Sequence, residues 1–148
     1  MVYRMAIQIH FFQLILADFN VDAVAISHFS DHDDSVTHHI LTHGLAEIEV
    51  LNLPKNPLNC VLPVITMSNI VACPSISKTN GQIDCAVMRA EKLEAILSVP
   101  LITREGRRAA LSIMNEKPRI WCSAETDRLL QASRSVQNEA QLHIQKTL

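Results

Sequence analysis

At 148 residues, with 48% apolar and 19% charged side chains, the chain has the length of one domain and the apolar content to build a core. Three glycines are too few to favour a glycine-rich, phosphate-cradling loop, and 4% aromatics leaves the core to Ile, Leu, Val, Ala and Met. A net charge of −2 points to no polyanionic partner.

Charge is unevenly spread. Residues 1–88 hold three basic side chains (Arg4, Lys55, Lys78) against eight acidic ones, whereas residues 89–148 hold ten basic against seven acidic. In the second half the two signs are interleaved, which reads as a solvated helical surface rather than a nucleic-acid face. Cys60, Cys73, Cys85 and Cys122 match no zinc-knuckle or CxxC spacing and read as reduced, mostly buried thiols. With no secretory signal and no apolar run long enough to span a bilayer, the expected location is the cytoplasm, away from membranes.

In chain order, Met5–Asp18 favours a helix, because the apolar run is longer than a typical strand. A strand ending in LILAD is the other reading. Val21–Ser27 (VDAVAIS) reads as a short strand buried on both faces, as in a parallel sheet. A helix over Asp34–His43 follows, capped by Ser30 or Asp31 and closed by Gly44. Ala46–Leu53 is the next strand, which makes a right-handed βαβ unit. Cys60–Met67 is an apolar run interrupted by Pro63, an edge or irregular segment. Ser68–Gly81 reads as loop and Ile83–Met88 as a buried strand. Ala90–Leu97 reads as a helix stopped near Pro100, and Thr103 to about Asn115 as a further helix. Arg119–Cys122 is extended, and Ser123 starts a final helix running towards Leu148, with Trp121 packed on it. The sum is an α/β three-layer domain over residues 1–122 with a mostly parallel sheet, flavodoxin-like, and a C-terminal linker or docking helix over 123–148.

Two segments add a resemblance. Ile83–Ile96 (IDCAVMRAEKLEAI) resembles the last strand of the receiver domain of LuxR/NarL-type response regulators, a basic residue at its end, and the following helix. Ala110–Leu130 (ALSIMNEKPRIWCSAETDRLL) resembles the end of the last receiver helix and the start of the linker helix. Val21–Ser30 sits where the phosphorylatable turn would lie. The resemblance implies a receiver-like fold and a site formed by Asp18, Ser27, Thr66 and Arg89. This sequence departs from it there. The phosphoacceptor position holds Ser27, the lysine position holds Arg89, and no acidic pair for magnesium is clear. The implied protein is a degenerate, or pseudo-receiver, domain without phosphoryl chemistry.

A dense polar stretch, His28 to His43, carries a second set of candidates. On a helix His39 and His43 are i,i+4 neighbours, and His32 joins the same stripe if the helix reaches back to it. With His28 these residues would suit zinc or nickel, and an open position would activate water for hydrolysis. ISHFSDHDD also resembles the HxHxDH motif of metallo-β-lactamase-fold hydrolases, without its second histidine. The alternative is a set of half-buried interfacial histidines beside helix-capping aspartates. Arg104, Arg107 and Arg108 form a candidate anion-binding group near a helix start.

The function expected from the sequence is a non-enzymatic signalling or transcription-regulatory module. It acts through protein contacts, without cofactor and without nucleic-acid binding by this chain alone. A protein partner or a second copy is expected on the final helix, through Leu129, Leu130, Val136 and Leu142. A small metal-dependent hydrolase, and an interaction protein with no chemical site, are the alternatives.

Overall fold

The computed structural model describes residues 2–29, 35–54, 70–79, 86–102 and 108–147. Helix α1 (Val2–Phe19) leads into strands β1 (Ala23–Phe29), β2 (Ser35–Thr42), β3 (Glu49–Pro54) and β4 (Val71–Cys73). A 3₁₀ turn (Ile76–Thr79), the short helix α2 (Ala86–Ala90), strands β5 (Ala95–Ile102) and β6 (Arg108–Asn115) and helix α3 (Ser123–Thr147) follow. The strands form one sheet in the order β3-β2-β1-β6-β5-β4, and every neighbouring pair is antiparallel.

This overturns the parallel, three-layer expectation and the receiver resemblance with it. The decisive segment is β2. Its SVTHHILT run alternates in burial, with Val36, His38 and Ile40 buried on one face. Of the helix expected over Asp34–His43, Ser35–Thr42 is a strand and His43 opens the turn after it, so the βαβ unit does not exist. Val, Thr and Ile are stiff at χ1 and suit a pleated surface better than a helix. Gly44 does adopt a left-handed φ of +87°, but as part of a turn closed by Leu45 N–H donating to Thr42 O at 3.0 Å.

The second half is corrected in the same way. Ile83–Met88 is not a strand where it is described, since α2 begins at Ala86. The helix expected over Ala90–Leu97 instead ends at Ala90. Lys92 turns left-handed (φ 57°) and Leu93 N–H donates back to Met88 O at 2.7 Å. That bond satisfies an end carbonyl, and Met88 and Leu93 share the core beside it. β5 then begins, with Pro100 inside it opposite Ala110. The helix expected from Thr103 to Asn115 is, from Arg108 on, β6.

Both faces of the sheet are covered, which explains why its strands look evenly apolar. On one face α1 places Phe12, Ile15, Leu16 and Phe19 at helical spacing against Val24, Leu41, Leu97, Val99, Leu111 and Ile113. Leu129 of α3 enters the same cluster. α1 ends at Asn20 (φ 51°), with Val21 N–H donating to Leu16 O at 3.3 Å. On the other face Cys73, Ile76, Met88 and Leu93 pack against Ala23, Ala25, Ile40, Ile96, Ala110 and Met114. Full burial of a large aliphatic side chain contributes about 1.5–3 kcal/mol, so the two layers carry most of the stabilisation.

The two helix ends are tied together. Arg119 donates to Phe19 O and Asn20 O, each at 2.9 Å, and pairs with Glu125. Glu125 also accepts from Cys122 N–H at 3.0 Å, capping the start of α3. Trp121 donates its indole N–H to Cys73 O at 3.2 Å, so it packs towards β4. Among the described residues no helix is long and apolar enough to cross a membrane.

Candidate functional site

Among the described residues, four buried polar side chains lie on the face of the sheet away from α1 and α3: Ser27, His38, Ser98 and Ser112. Strand register creates the grouping. Ser27 stands opposite His38 on β2, and Ser98 opposite Ser112 across β5 and β6. Ala25 stands opposite Ser112, so the two pairs occupy adjacent rungs. Ser112 donates to Ser98 Oγ at 3.0 Å. Ser27 Oγ lies 2.6 Å from His38 Nδ1.

His38 is fully buried, and its Nε2 has no hydrogen-bond partner among the described residues. Burial lowers its pKa to about 4, with His28 and His39 adding like-charge repulsion, so the ring is neutral at neutral pH. Two tautomers then exist. With the proton on Nε2, Ser27 donates its hydroxyl hydrogen to Nδ1 and one group is left over, the Nε2–H. With the proton on Nδ1, both the Ser27 hydrogen and Nε2 are left over among the described residues. The first leaves fewer buried groups unsatisfied and is favoured, since each costs about 1–3 kcal/mol. The face therefore presents a buried donor, fixed in place by Ser27.

The opposite face holds a second histidine pair. Ile26 stands opposite His39 and His28 opposite Thr37, which makes His28 and His39 diagonal neighbours on the α1 side. Their Nε2 atoms are 3.3 Å apart, their ring centroids 5.4 Å apart and their planes 24° from parallel. The nitrogen separation is much the smaller, so the rings meet at their Nε2 edges rather than overlapping face on. Both side chains are half-buried.

The remaining candidates are dispersed. His43 follows β2 and lies four residues beyond His39 along an extended chain, about 13 Å at about 3.3 Å per residue. Asp18 is exposed at the end of α1, on the opposite side of the sheet from Ser27, and its carbonyl accepts from Arg128 at 2.9 Å. Arg89 is exposed on α2. The acceptor, metal and lysine positions that the receiver resemblance assigned thus form no common site. Thr66, His32, Arg104 and Arg107 lie outside the described residues, as does the side chain of Arg108. Among the described residues no three metal-ligating side chains converge. The sequence reading overlooked His38, Ser98 and Ser112. For His38 the signal was the Val36-His38-Ile40 alternation, a histidine on an otherwise apolar strand face.

Comparison with solved structures assigns the architecture. The chain is similar to the GAF domain of a phosphoenolpyruvate-protein phosphotransferase from Acinetobacter, at 16% identity and a TM-score of 0.69, covering 92% of this chain and 81% of that one. The fold is that of the GAF domains. The PixJ GAF domain of Thermosynechococcus elongatus, solved in its blue-light absorbing form, shares it at 20% identity and a TM-score of 0.66, covering 97% of this chain and 90% of that one. So does a domain of a putative two-component sensor histidine kinase protein from Sinorhizobium meliloti 1021, at 14% identity and a TM-score of 0.67, covering 96% and 94%. No family model and no curated protein matches the sequence. In this GAF fold the Ser27–His38 pair belongs to the sheet face covered by α2 and the 3₁₀ turn, and the His28–His39 pair to the face covered by α1 and α3.

Proposed function

We propose that this GAF-fold chain is a non-enzymatic sensory module that takes a small ligand on the Ser27–His38 face and signals through protein contacts. Its fold neighbours include a light-absorbing receptor domain and a sensor-kinase domain, which supports a signalling role. The observation that carries the ligand is the buried Nε2 of His38, unpartnered among the described residues. A neutral imidazole N–H in an apolar setting favours a partner with an acceptor oxygen, either a carbonyl or a small oxoanion. Ser112, two strands over from His38 and one rung along, and Ser98 beyond it add hydroxyls to the same face. Output runs through α3, which is anchored in the core at Leu129 and continues to Thr147. We assign its later turns to a protein partner or a second copy.

The test is a thermal-shift screen with nitrate, acetate, pyruvate and simple amides, on the wild type and on His38→Phe. A rise in Tm for one acceptor class in the wild type, lost in His38→Phe, supports the reading. No shift with any class, or the same shift in both proteins, overturns it.

A further inference from the structure

The segment between β6 and α3, residues 116–122, runs past the β4 edge of the sheet. We propose that Arg119 and Trp121 make it a strap, coupling β4 and the cover of the Ser27–His38 face to the junction of α1 and α3, so that a shift at one loosens the other. As a route from ligand to output the strap rests on the sensory reading above; as a mechanical link it does not.

Its first attachment is to β4. Arg119 N–H donates to Pro74 O at 3.1 Å, and the Trp121 indole N–H donates to Cys73 O at 3.2 Å. Two consecutive carbonyls are thus held by one segment. Cys73 and Ile76 pack from there into the cluster that holds Ala25 and Ile40. Those two residues stand opposite each other on the rung beside Ser27 and His38.

The second attachment is to the helices. The Arg119 guanidinium donates to Phe19 O and Asn20 O at the end of α1 and pairs with Glu125 in the first turn of α3. The Trp121 ring packs against the cluster on the α1 face, with the guanidinium 4.8 Å from its centre. The same two residues therefore bond to the covering layers of opposite faces.

The bonds matter because little else holds the ends they join. Ile120 is 86% exposed and residues 116–118 are exposed, so apart from Trp121 the segment gains little from apolar burial. β4 is an edge strand of three residues, paired with β5. Elements with few ladder bonds open locally at low cost. A displacement of β4 pulls on both carbonyl bonds, and Arg119 then yields at Phe19, Asn20 or Glu125.

The test is amide hydrogen exchange on the full chain without ligand, so its failure leaves the thermal-shift result standing, and the reverse. Ile76→Ala perturbs the β4 side and Glu125→Gln the helix side. Val36→Ala truncates the same cluster from β2 and controls for general destabilisation. Coupling is reciprocal. Ile76→Ala should therefore speed exchange in residues 122–129, and Glu125→Gln in residues 70–76, each by about two- to thirtyfold, the span for residues that carry coupling between sites. Trp121→Phe keeps a ring and removes the donor, and in that background both cross-effects should shrink. Effects confined to the perturbed side, cross-effects unchanged by Trp121→Phe, or an equal effect of Val36→Ala on residues 122–129 overturn the strap. If Ile76→Ala does not fold, Ile76→Val applies the same perturbation at lower cost and is read the same way.

Discussion

Ser27 and His38 stand directly opposite each other on β1 and β2, both fully buried, with Ser27 Oγ 2.6 Å from His38 Nδ1. The ring is held neutral in the folded protein, with a pKa of about 4 against 6.5 for a free histidine, through burial and then through His28 and His39. The unfolded chain therefore binds a proton below pH 6.5 that the folded chain refuses until about pH 4. Stability falls as pH drops through that window, by on the order of 3 kcal/mol in total, and is unaffected by this group above it. Urea unfolding at pH 7.5 and 4.5 should show the loss in the wild type and a smaller one in His38→Leu. An equal loss in both would show that His38 titrates like an exposed histidine.

Removing one member of the pair should cost more than removing both. Ser27→Ala leaves Nδ1 buried without its donor and should destabilise by about 1–3 kcal/mol. The double variant Ser27→Ala/His38→Leu removes the polar groups together and should lie close to the wild type. A double-mutant cycle in denaturant measures this directly, and simple additivity would contradict it.

Arg119 joins the end of α1 to the start of α3 through two carbonyls and Glu125, and its guanidinium lies 4.8 Å from the centre of the Trp121 ring. Arg119→Ala should destabilise the chain by about 1–3 kcal/mol and alter Trp121 fluorescence in the folded state. Arg119→Lys should recover little, because a single ammonium cannot serve the same fork of acceptors. Full recovery by lysine would mean that charge alone matters.

Leu129 sits in the core with Phe12, Val99 and Ile113, so the start of α3 is part of the sheet's covering layer. Leu129→Ala should cost about 2–5 kcal/mol, the range for truncating a buried leucine. A cost below about 1 kcal/mol would indicate that α3 is dispensable to the core.

The sequence revealed α1, β1 and α3 in outline, although the α1 run also allowed a strand ending in LILAD. α1 shows an apolar run longer than a typical strand, β1 a short one with turn residues after it, and α3 is expected from Ser123, where it begins, although the residue that Glu125 caps is Cys122. It misled wherever both faces of a strand are buried. In β1, β5 and β6 apolar residues follow one another without alternation, because helices cover one side while Met88, Leu93 and Ile76 cover the other. Double burial suggested a parallel sheet, but it requires only two covering layers. In β5 and β6 the same continuity, with alanines and a proline, suggested helix. The histidines were read on the wrong geometry. Helical spacing coupled His39 to His43, whereas the strand couples His39 to His28 and turns His38 to the opposite face.

The position of β1 in the sheet has a consequence for how the molecule is made. β1 is a central strand, and its second neighbour is β6. Asp22 and Asn115, which close that junction, are 93 residues apart. During synthesis β1 and β2 can zip as soon as they emerge, but the other edge of β1 waits until β6 has been made. Until then an apolar strand edge is open, and neighbouring nascent chains can compete for it. Pairing across so long a loop also slows the final step of folding. The strand that organises the finished sheet is thus made before its second neighbour by some ninety residues and is completed only with it.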